Sequence, residues 1–429
     1  MRKWLMGWIV TALWAWAQTP STLALDDLIV LALRHSPDLQ RARLEVNASR
    51  TRIETAKSLY RPRIDALAGA GSQSARLKHR KRDTIALLSG TLQASQLLYD
   101  FGKTEGAIDS AEAEVAASRA ELRQLLSDKI LQIKTLYYEI LKAKGDVAVQ
   151  RKNVELSRAQ LYRAKRYLQQ GIRSRIDLSD AKVRLAKARR DLEDARFRVD
   201  LLRSRLEQAL GIVPENGEYR LFTPSLKNRG FSDELPPIPA SLHLLEREAL
   251  SRRPSLESYT HRIESAKGRI KSATADYYPR IDLQGSATAQ HVDESVATSL
   301  PQTESRLLLN ARWNLFSGYA TDAQAQEARI RMLQNVTRRT EGELAVQQEV
   351  DAAYIALRQS HTDVHLNTEL VEAAEIKWRQ AQKRYENGLG DYLEVRYAQR
   401  DYIDALKRLN NSYYDVYISQ ARLEHAIGR

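Results

Sequence analysis

A hexapeptide occurs twice in this chain, as Tyr60-Arg-Pro-Arg-Ile-Asp65 and, 217 positions later, as Tyr277-Tyr-Pro-Arg-Ile-Asp282. The same offset of 217 relates Pro37 to Pro254, Leu98 to Leu315, Gly171 to Gly388, Ala181 to Ala398 and Gly211 to Gly428. So many matches at one spacing mark an internal duplication. The 429 residues are therefore two copies of one unit, and length alone is a poor guide to their domain count.

Each copy runs through the same order of patterns. An amphipathic helix is expected from Leu25 to about Leu59. It is interrupted at Ser36-Pro37, and its repeat at Arg253-Pro254, because the residue before proline is pushed out of the α region. From Arg63 the period changes to two. Ile64, Ala66, Ala68 and Ala70 share one strand face, and Arg63, Asp65, Leu67 and Gly69 share the other. Partner strands follow at Thr91 to Tyr99 and Arg306 to Phe316, the latter alternating Leu307, Leu309, Ala311, Trp313 and Leu315 with Arg306, Asn310, Arg312 and Asn314. Such alternation over roughly 10 residues fits a strand of an outer-membrane barrel. A half-buried soluble sheet gives the same period. The intervening loops are polar; the first holds Arg76, Lys78, Arg80, Lys81 and Arg82, either a solvated loop or a cationic rim facing lipopolysaccharide phosphates.

After Leu-Tyr-Asp-Phe-Gly102 and Leu-Phe-Ser-Gly-Tyr319 the pattern is helical for a long way. Lys103 to Gln170 contains no proline, enough for roughly 100 Å of helix. A seam recurs every seven residues at Leu126, Ile133, Ile140, Val147, Val154, Leu161 and Leu168. The returning helix repeats Leu178, Leu185, Leu192, Val199 and Leu206, with a row of mostly small residues, Ala181, Ala188, Ala195, Leu202 and Ala209, beside it. A sustained heptad holds one helix face against a neighbour. A second, small-residue row admits another neighbour, as in helices that close into a cylinder. The expected organisation is a signal peptide over 1–17 and a first repeat over 18–211, with strands near 62–72 and 90–101 and long helices near 103–170 and 174–210. A proline-rich linker over 212–241 leads to a second repeat over 242–429, with strands near 279–290 and 305–316 and long helices near 319–386 and 390–427.

Arg2 and Lys3, an apolar run to Trp16 and Ala15-Trp-Ala17 fit a secretory signal peptide cut after Ala17. An uncleaved anchor helix is the alternative, for which the apolar run is short. Without cysteine there is no disulfide, thiolate metal site or cysteine nucleophile. Removing Arg2 and Lys3 from the 67 basic residues leaves 65 against 54 acidic ones, a mature charge of +11. For an exported chain that charge points to anionic lipid or an acidic cargo rather than nucleic acid. Beyond the leader no apolar run approaches the roughly 18 residues of a transmembrane helix, so any crossing must use strands. His361-Thr-Asp-Val-His365 places two histidines on one helical face but has no third ligand at motif spacing, and a solvated face is expected. The chain has no P-loop, dinucleotide fingerprint or nucleophile elbow; no enzymatic activity, cofactor or metal is expected, and any energy source must come from partners.

The duplicated helix-strand-strand-helix-helix unit, the Tyr-x-Pro-Arg-Ile-Asp joint, the two strand ends and the Tyr385-Glu-Asn-Gly388-Leu389 turn together resemble the TolC family of outer membrane efflux proteins. The resemblance covers essentially the whole mature chain. It implies a mainly α fold with a β-barrel portion: a homotrimer in which each protomer gives four strands to a 12-stranded barrel above a long periplasmic α-helical barrel. The periplasmic adaptor of a tripartite pump would meet the tips at Gly171 and Ile172 and at Gly388 and Leu389, glycines that also serve chain reversal. At the periplasmic entrance, one ring carboxylate falls on Glu394 and the second on Tyr397. The pair that ties the entrance shut falls on Asp177 and Tyr385. The linking arginine of the family falls on Gly390 here, with Arg173 at the equivalent place in the first copy, and Arg396 softens the field of Glu394. Asp177 and Glu394 equally suit the first turns of helices, where carboxylates are favoured. The implied function is a passive exit duct with an inner-membrane transporter as further partner, in efflux of small molecules or in type I protein secretion. The rivals are a periplasmic adaptor and a soluble coiled-coil scaffold.

Overall fold

The computed structural model describes residues 22–75, 83–171, 174–213, 219–221, 235–292 and 303–429. The expected signal peptide, the basic loop 76–82, Ile172 and Arg173 lie outside the described residues. Helices α1 (Leu25–His35) and α2 (Pro37–Lys57) lead into strands β2 (Arg63–Ala75) and β3 (Asp83–Tyr99), then α3 (Lys103–Gln169) and α4 (Arg175–Leu210). The second copy holds α5 (Leu242–Arg252), α6 (Pro254–Thr274), β5 (Arg280–Val292), β6 (Thr303–Arg312), α7 (Ala320–Glu386) and α8 (Tyr392–Ala426). From α1 against α5 to α3 against α7, helix boundaries repeat at 217 residues. At the proline breaks Ser36 has ψ 121° and Arg253 ψ 118°, the extended geometry that the following ring imposes.

Two compact units divide the described chain. The first comprises Asp38–Leu125, His243–Val350 and Ala426–Arg429. Its antiparallel sheet runs β2-β3-β5-β6. Ala66 pairs with Leu92, Leu92 with Ala287 and Ala287 with Ser305, a register that gives the sheet two unlike faces. One carries Ile64, Ala66, Ala68, Leu88, Leu92, Ala94, Leu283, Ala287, Leu307 and Leu309, interrupted by Gln96, His291, Thr303 and Ser305. The other carries Arg63, Asp65, Thr91, Gln93, Ser95, Gln284, Ser286, Thr288, Arg306 and Asn310, interrupted by Leu67 and Leu308. A bulge at Leu98 moves Tyr99 opposite Ile281, on the apolar face.

The hexapeptide joint is built alike in both copies. Arg63 donates to Asp65 at 2.9 Å and Arg280 to Asp282 at 2.9 Å, each along one strand face. The Tyr60 carbonyl accepts from the Gln96 side chain at 2.7 Å, and the Tyr277 carbonyl from the Trp313 indole at 3.0 Å. Gln96 and Trp313 are themselves 217 residues apart. This contact corrects the expected strand Arg306 to Phe316. β5 begins at Arg280, whose partner is Arg312, so no backbone partner remains for Trp313, and its indole turns to the joint. β3 likewise starts earlier than the expected 90 and stops at Tyr99, because Asp100 caps α3, accepting from the Thr104 amide at 2.8 Å. Ser317 caps α7 from the Thr321 amide at 3.2 Å. Between strand and helix each copy has two consecutive left-handed residues, Phe101 (φ 53°) with Gly102 (φ 94°), and Gly318 (φ 60°) with Tyr319 (φ 67°). The glycine and the aromatic exchange places, so one non-glycine residue per copy carries a strained backbone of about 1 kcal/mol or more.

α6 lies against the start of α3 at near backbone contact, with Ser110 and Ser265 hydroxyls 2.9 Å apart and Lys271 paired to Glu105 at 2.8 Å. A Cβ on Gly268 would fall 2.6 Å from the Ser110 amide nitrogen and 2.7 Å from the Gly106 carbonyl oxygen.

The second unit holds α1, residues 126–213 and 219–221, 235–242 and 351–425. The heptad seams are packed: Val147 and Val154 of α3 meet Leu185, Ala188 and Leu192 of α4, while Ala374, Tyr402 and Ala405 join α7 to α8. α3 and α8 are tied by Lys142 to Asp415 at 2.8 Å and Lys134 to Glu424 at 2.6 Å. The expected linker is not featureless. Arg220–Leu221 (β4) pairs in parallel with Thr22–Leu23 (β1), and Tyr219, Leu221, Leu28 and Ala32 share a core with Ile133, Ile140, Leu206 and Leu210. Leaving the α6–α3 contact no room, Gly268→Val lowers the unfolding free energy by about 1–3 kcal/mol; Gly90→Val, with nothing within 4 Å of its Cβ, is the control for the thermal melts.

Candidate functional site

The turn ends of the long helices collect nearly all the residues singled out above, within the second unit. α3 ends at Gly171 (φ 74°) and α7 at Gly388 (φ 74°). After α7 the Leu389 amide donates to the Arg384 carbonyl at 2.9 Å and the Gly388 amide to the Tyr385 carbonyl at 3.2 Å, the paired bonds of a Schellman stop. Gly388 is thus accounted for by chain reversal, while the Leu389 side chain projects into solvent, 74% exposed. Ile172 and Arg173 lie outside the described residues.

The expected entrance residues separate into three environments. Tyr385 is buried in a core with Ala381, Tyr392, Val395 and Ala398, its ring 6.0 Å from that of Tyr167 and 5.8 Å from that of Tyr392. Asp177, half-buried, occupies the first turn of α4. It and Asp180 raise the Tyr392 hydroxyl's pKa further, after burial, the larger cause. That hydroxyl is buried without a hydrogen-bond partner, and the Arg184 guanidinium sits 5.5 Å over its ring. Glu394, in the first turn of α8, faces Arg384 at 3.6 Å across the turn. Arg396 does not meet Glu394 in an ion pair among the described residues; its guanidinium lies 5.0 Å over the Tyr397 ring and donates to the Tyr397 hydroxyl at 3.3 Å. Arg400 covers the same ring at 5.8 Å.

Sequence reasoning missed Arg384 and Arg184. Arg384 and Glu394 stand five residues either side of Leu389, a symmetry about the turn that could have paired them. Nothing local marks Arg184, which reaches Tyr392 from another helix. A polar contact higher on the same helices was also missed: Gln399 of α8 meets Gln160 and donates to Asn153 at 3.3 Å, both on α3. His365 pairs with Glu369 at 3.5 Å, and no group of three metal-binding side chains forms among the described residues. These contacts are positioning and electrostatic in kind: carboxylates, guanidinium groups and aromatic rings at helix ends, suited to holding or releasing those ends.

Comparison with known proteins places this architecture. The chain is 25% identical over 407 residues to Protein CyaE of Bordetella pertussis, covering 92% of this chain and 82% of that one. It is 22% identical over 427 residues to the outer membrane efflux protein BepC of Brucella suis, covering 99% and 88%. The crystal structure of the outer membrane protein VceC from Vibrio cholerae superposes with a TM-score of 0.79 at 18% identity, covering 94% of this chain and 96% of that one. The family model for outer membrane efflux proteins matches twice, at residues 28–212 and 245–429, two spans offset by the same 217 residues as the hexapeptide. The chain belongs to the outer membrane efflux protein family.

Proposed function

We propose that this chain is the outer membrane exit duct of a tripartite efflux pump or type I secretion system, a passive conduit working as a homotrimer. The two-faced sheet carries this reading. With one largely apolar and one largely polar face, and with β2 and β6 unpaired on their outer edges among the described residues, it suits lipid on one side and water on the other only once those edges are paired. Four strands are too few to close, and eight leave an interior that side chains just fill; twelve, from three copies, leave a lumen. The helices favour the same ring closure. α4 exposes Ile176, Val183, Phe197 and Leu201, and α7 exposes Ile355, Leu366, Leu370 and Ile376, so each protomer has an unpartnered apolar row on two different helices, as a heterologous ring requires.

Aromatic side chains gather at the strand joint. Tyr99 meets Phe101 edge to face at 4.7 Å, Phe101 stacks on Tyr278 at 5.2 Å, and Phe316 meets Tyr319 at 5.7 Å, all exposed. Such a belt belongs at a membrane–water boundary, which puts Arg63, Asp65, Arg280 and Asp282 at the periplasmic rim. Among the described residues no helix is long and apolar enough to cross a membrane. The 1–17 leader serves export, the 76–82 loop faces lipopolysaccharide, and the tips at Gly171, Ile172, Gly388 and Leu389 receive the periplasmic adaptor, which joins the duct to an inner-membrane transporter. An adaptor or scaffold without a pore gives no reason for the duplicated hairpins to share one two-faced sheet.

Opening follows from partner binding that favours separated helix ends. Asp177 and Tyr385 hold the closed state, with Glu394, Tyr397, Arg173 and Arg396 setting the field around it. Because the Tyr385 ring is packed in the protomer core, Tyr385→Phe removes only the hydroxyl. Combined with Asp177→Ala it removes the link between neighbouring helices that this reading assigns to the pair, a charged hydrogen bond of about 1.5–3 kcal/mol, shifting the closed-to-open ratio roughly tenfold or more. Planar-bilayer recordings then show higher conductance; unchanged conductance refutes a closed state held there. Cell fractionation tests the duct itself: a detergent-resistant trimer in the outer membrane is expected, and a monomer in the soluble periplasm would contradict it.

A further inference from the structure

The helical unit has two unlike sides. On one, α1 and the β1–β4 pair pack around Tyr137, Tyr138 and Tyr413. The other, where α3 lies between α4 and α8, is uncovered and polar. It contains two cavities, of about 700 and 490 Å3. The larger places Arg198 and Arg205 of α4 and Lys407 and Arg422 of α8 around Asp146 of α3. In the smaller, Arg184 and Lys187 of α4 face Arg396 and Arg400 of α8. Among the described residues none of these eight cations makes an ion pair; Lys142, nearby, is held by Asp415 at 2.8 Å, and Asp191 by Arg190 at 3.1 Å, while Glu139 in the larger cavity and Asp404 in the smaller are acids that offset the cations only in part. Asp146 is a weak counterweight. It is buried, it accepts from the Asn410 amide at 3.1 Å, and burial pushes its carboxyl above the usual carboxylate range against the pull of Lys407, Arg198 and Lys142.

Unpaired cations facing one another across a groove are costly in a folded chain unless water or an anion answers them. They are also spaced along both helices, from Arg184 to Arg205 and from Arg396 to Arg422, which makes a track rather than a single site. A layer such as α1 would obstruct a conduit if it lay inside, so the uncovered side is the one left to line it. We infer that this face of α3, α4 and α8 is the inner wall of the duct, and that its unpaired cations make the passage select anions and favour an anionic cargo. This rests on the duct reading above. A narrow wall with an excess of one charge sign concentrates counter-ions and depletes co-ions, which selects the permeant species without any binding pocket.

The test is the reversal potential of the purified full-length protein in planar bilayers under a potassium chloride gradient, recorded for the wild type and for the Asp177→Ala with Tyr385→Phe variant so that a closed tip does not mask the wall. Chloride is expected to permeate about threefold or more over potassium. Arg198→Glu, Arg205→Glu, Lys407→Glu and Arg422→Glu together should invert that preference, and the milder pair Arg198→Gln with Lys407→Gln, which keeps side-chain bulk, should lower it by about half. Raising the salt should weaken it in every case. A conducting channel that prefers potassium, or one whose chloride preference survives both sets of substitutions, overturns the anion track and leaves the duct standing. Absence of conductance from both backgrounds overturns the duct and the track with it.

Discussion

Every amide and carbonyl placed in hydrocarbon has to find a partner within the protein, and that requirement governs this molecule. Inside the sheet it is met by the ladders β2-β3, β3-β5 and β5-β6. At the outer edges of β2 and β6 no strand among the described residues meets it. A four-stranded sheet with an apolar face is therefore an incomplete object, and the duct proposed above completes it with further copies of the chain. Duplication serves the same end: the repeat makes β2 equivalent to β5 and β3 to β6, so the β3–β5 junction already pairs the second strand of one hairpin with the first of the next, the pairing that β6 would make with β2 of another copy.

The joint between strand and helix shows how closely the two copies share a solution. In both, a proline stops the incoming helix, an arginine–aspartate pair spans the first strand positions, the tyrosine carbonyl is capped by a side chain from the next strand, and a side-chain oxygen caps the long helix. The repeated element is the hydrogen-bond geometry rather than the residue: Gln96 and Trp313 donate to equivalent carbonyls, of Tyr60 and Tyr277, as Asp100 and Ser317 accept from equivalent amides, of Thr104 and Thr321. The left-handed pairs make the point again, with glycine first in one copy and second in the other.

Much of this was legible in the residues, because periodicity reports burial. The step of seven at Ile133, Ile140, Val147 and Val154, and at Val350, Leu357 and Val364, marks side chains that the structure buries, and strand parity from Ile64 and Leu307 assigns the two sheet faces. What was not legible depends on contacts between distant segments. Strand ends are set by the Asp100 cap and the Trp313 indole, neither of which has a period. Two-residue strands at Thr22 and Arg220 are too short to show a pattern, and Tyr219 looks like linker until its core neighbours are known. At the tip, the family resemblance singled out Asp177, Tyr385, Glu394, Tyr397 and Arg396, all of which lie near helix ends. Which of them share contacts required the structure: Tyr385 joins an aromatic core, Arg396 turns to Tyr397, and Glu394 takes Arg384.

Because the chain has no cysteine, its edge pairing can be read directly. Ala66→Cys on β2 combined in turn with Ser305→Cys, Leu307→Cys or Leu309→Cys on β6, followed by oxidation in intact outer membranes, should in one register produce a covalent ladder that stops at three chains. Absence of any crosslink across these pairs, or a ladder that continues past three, would contradict a sheet that closes into a barrel with two further copies of itself.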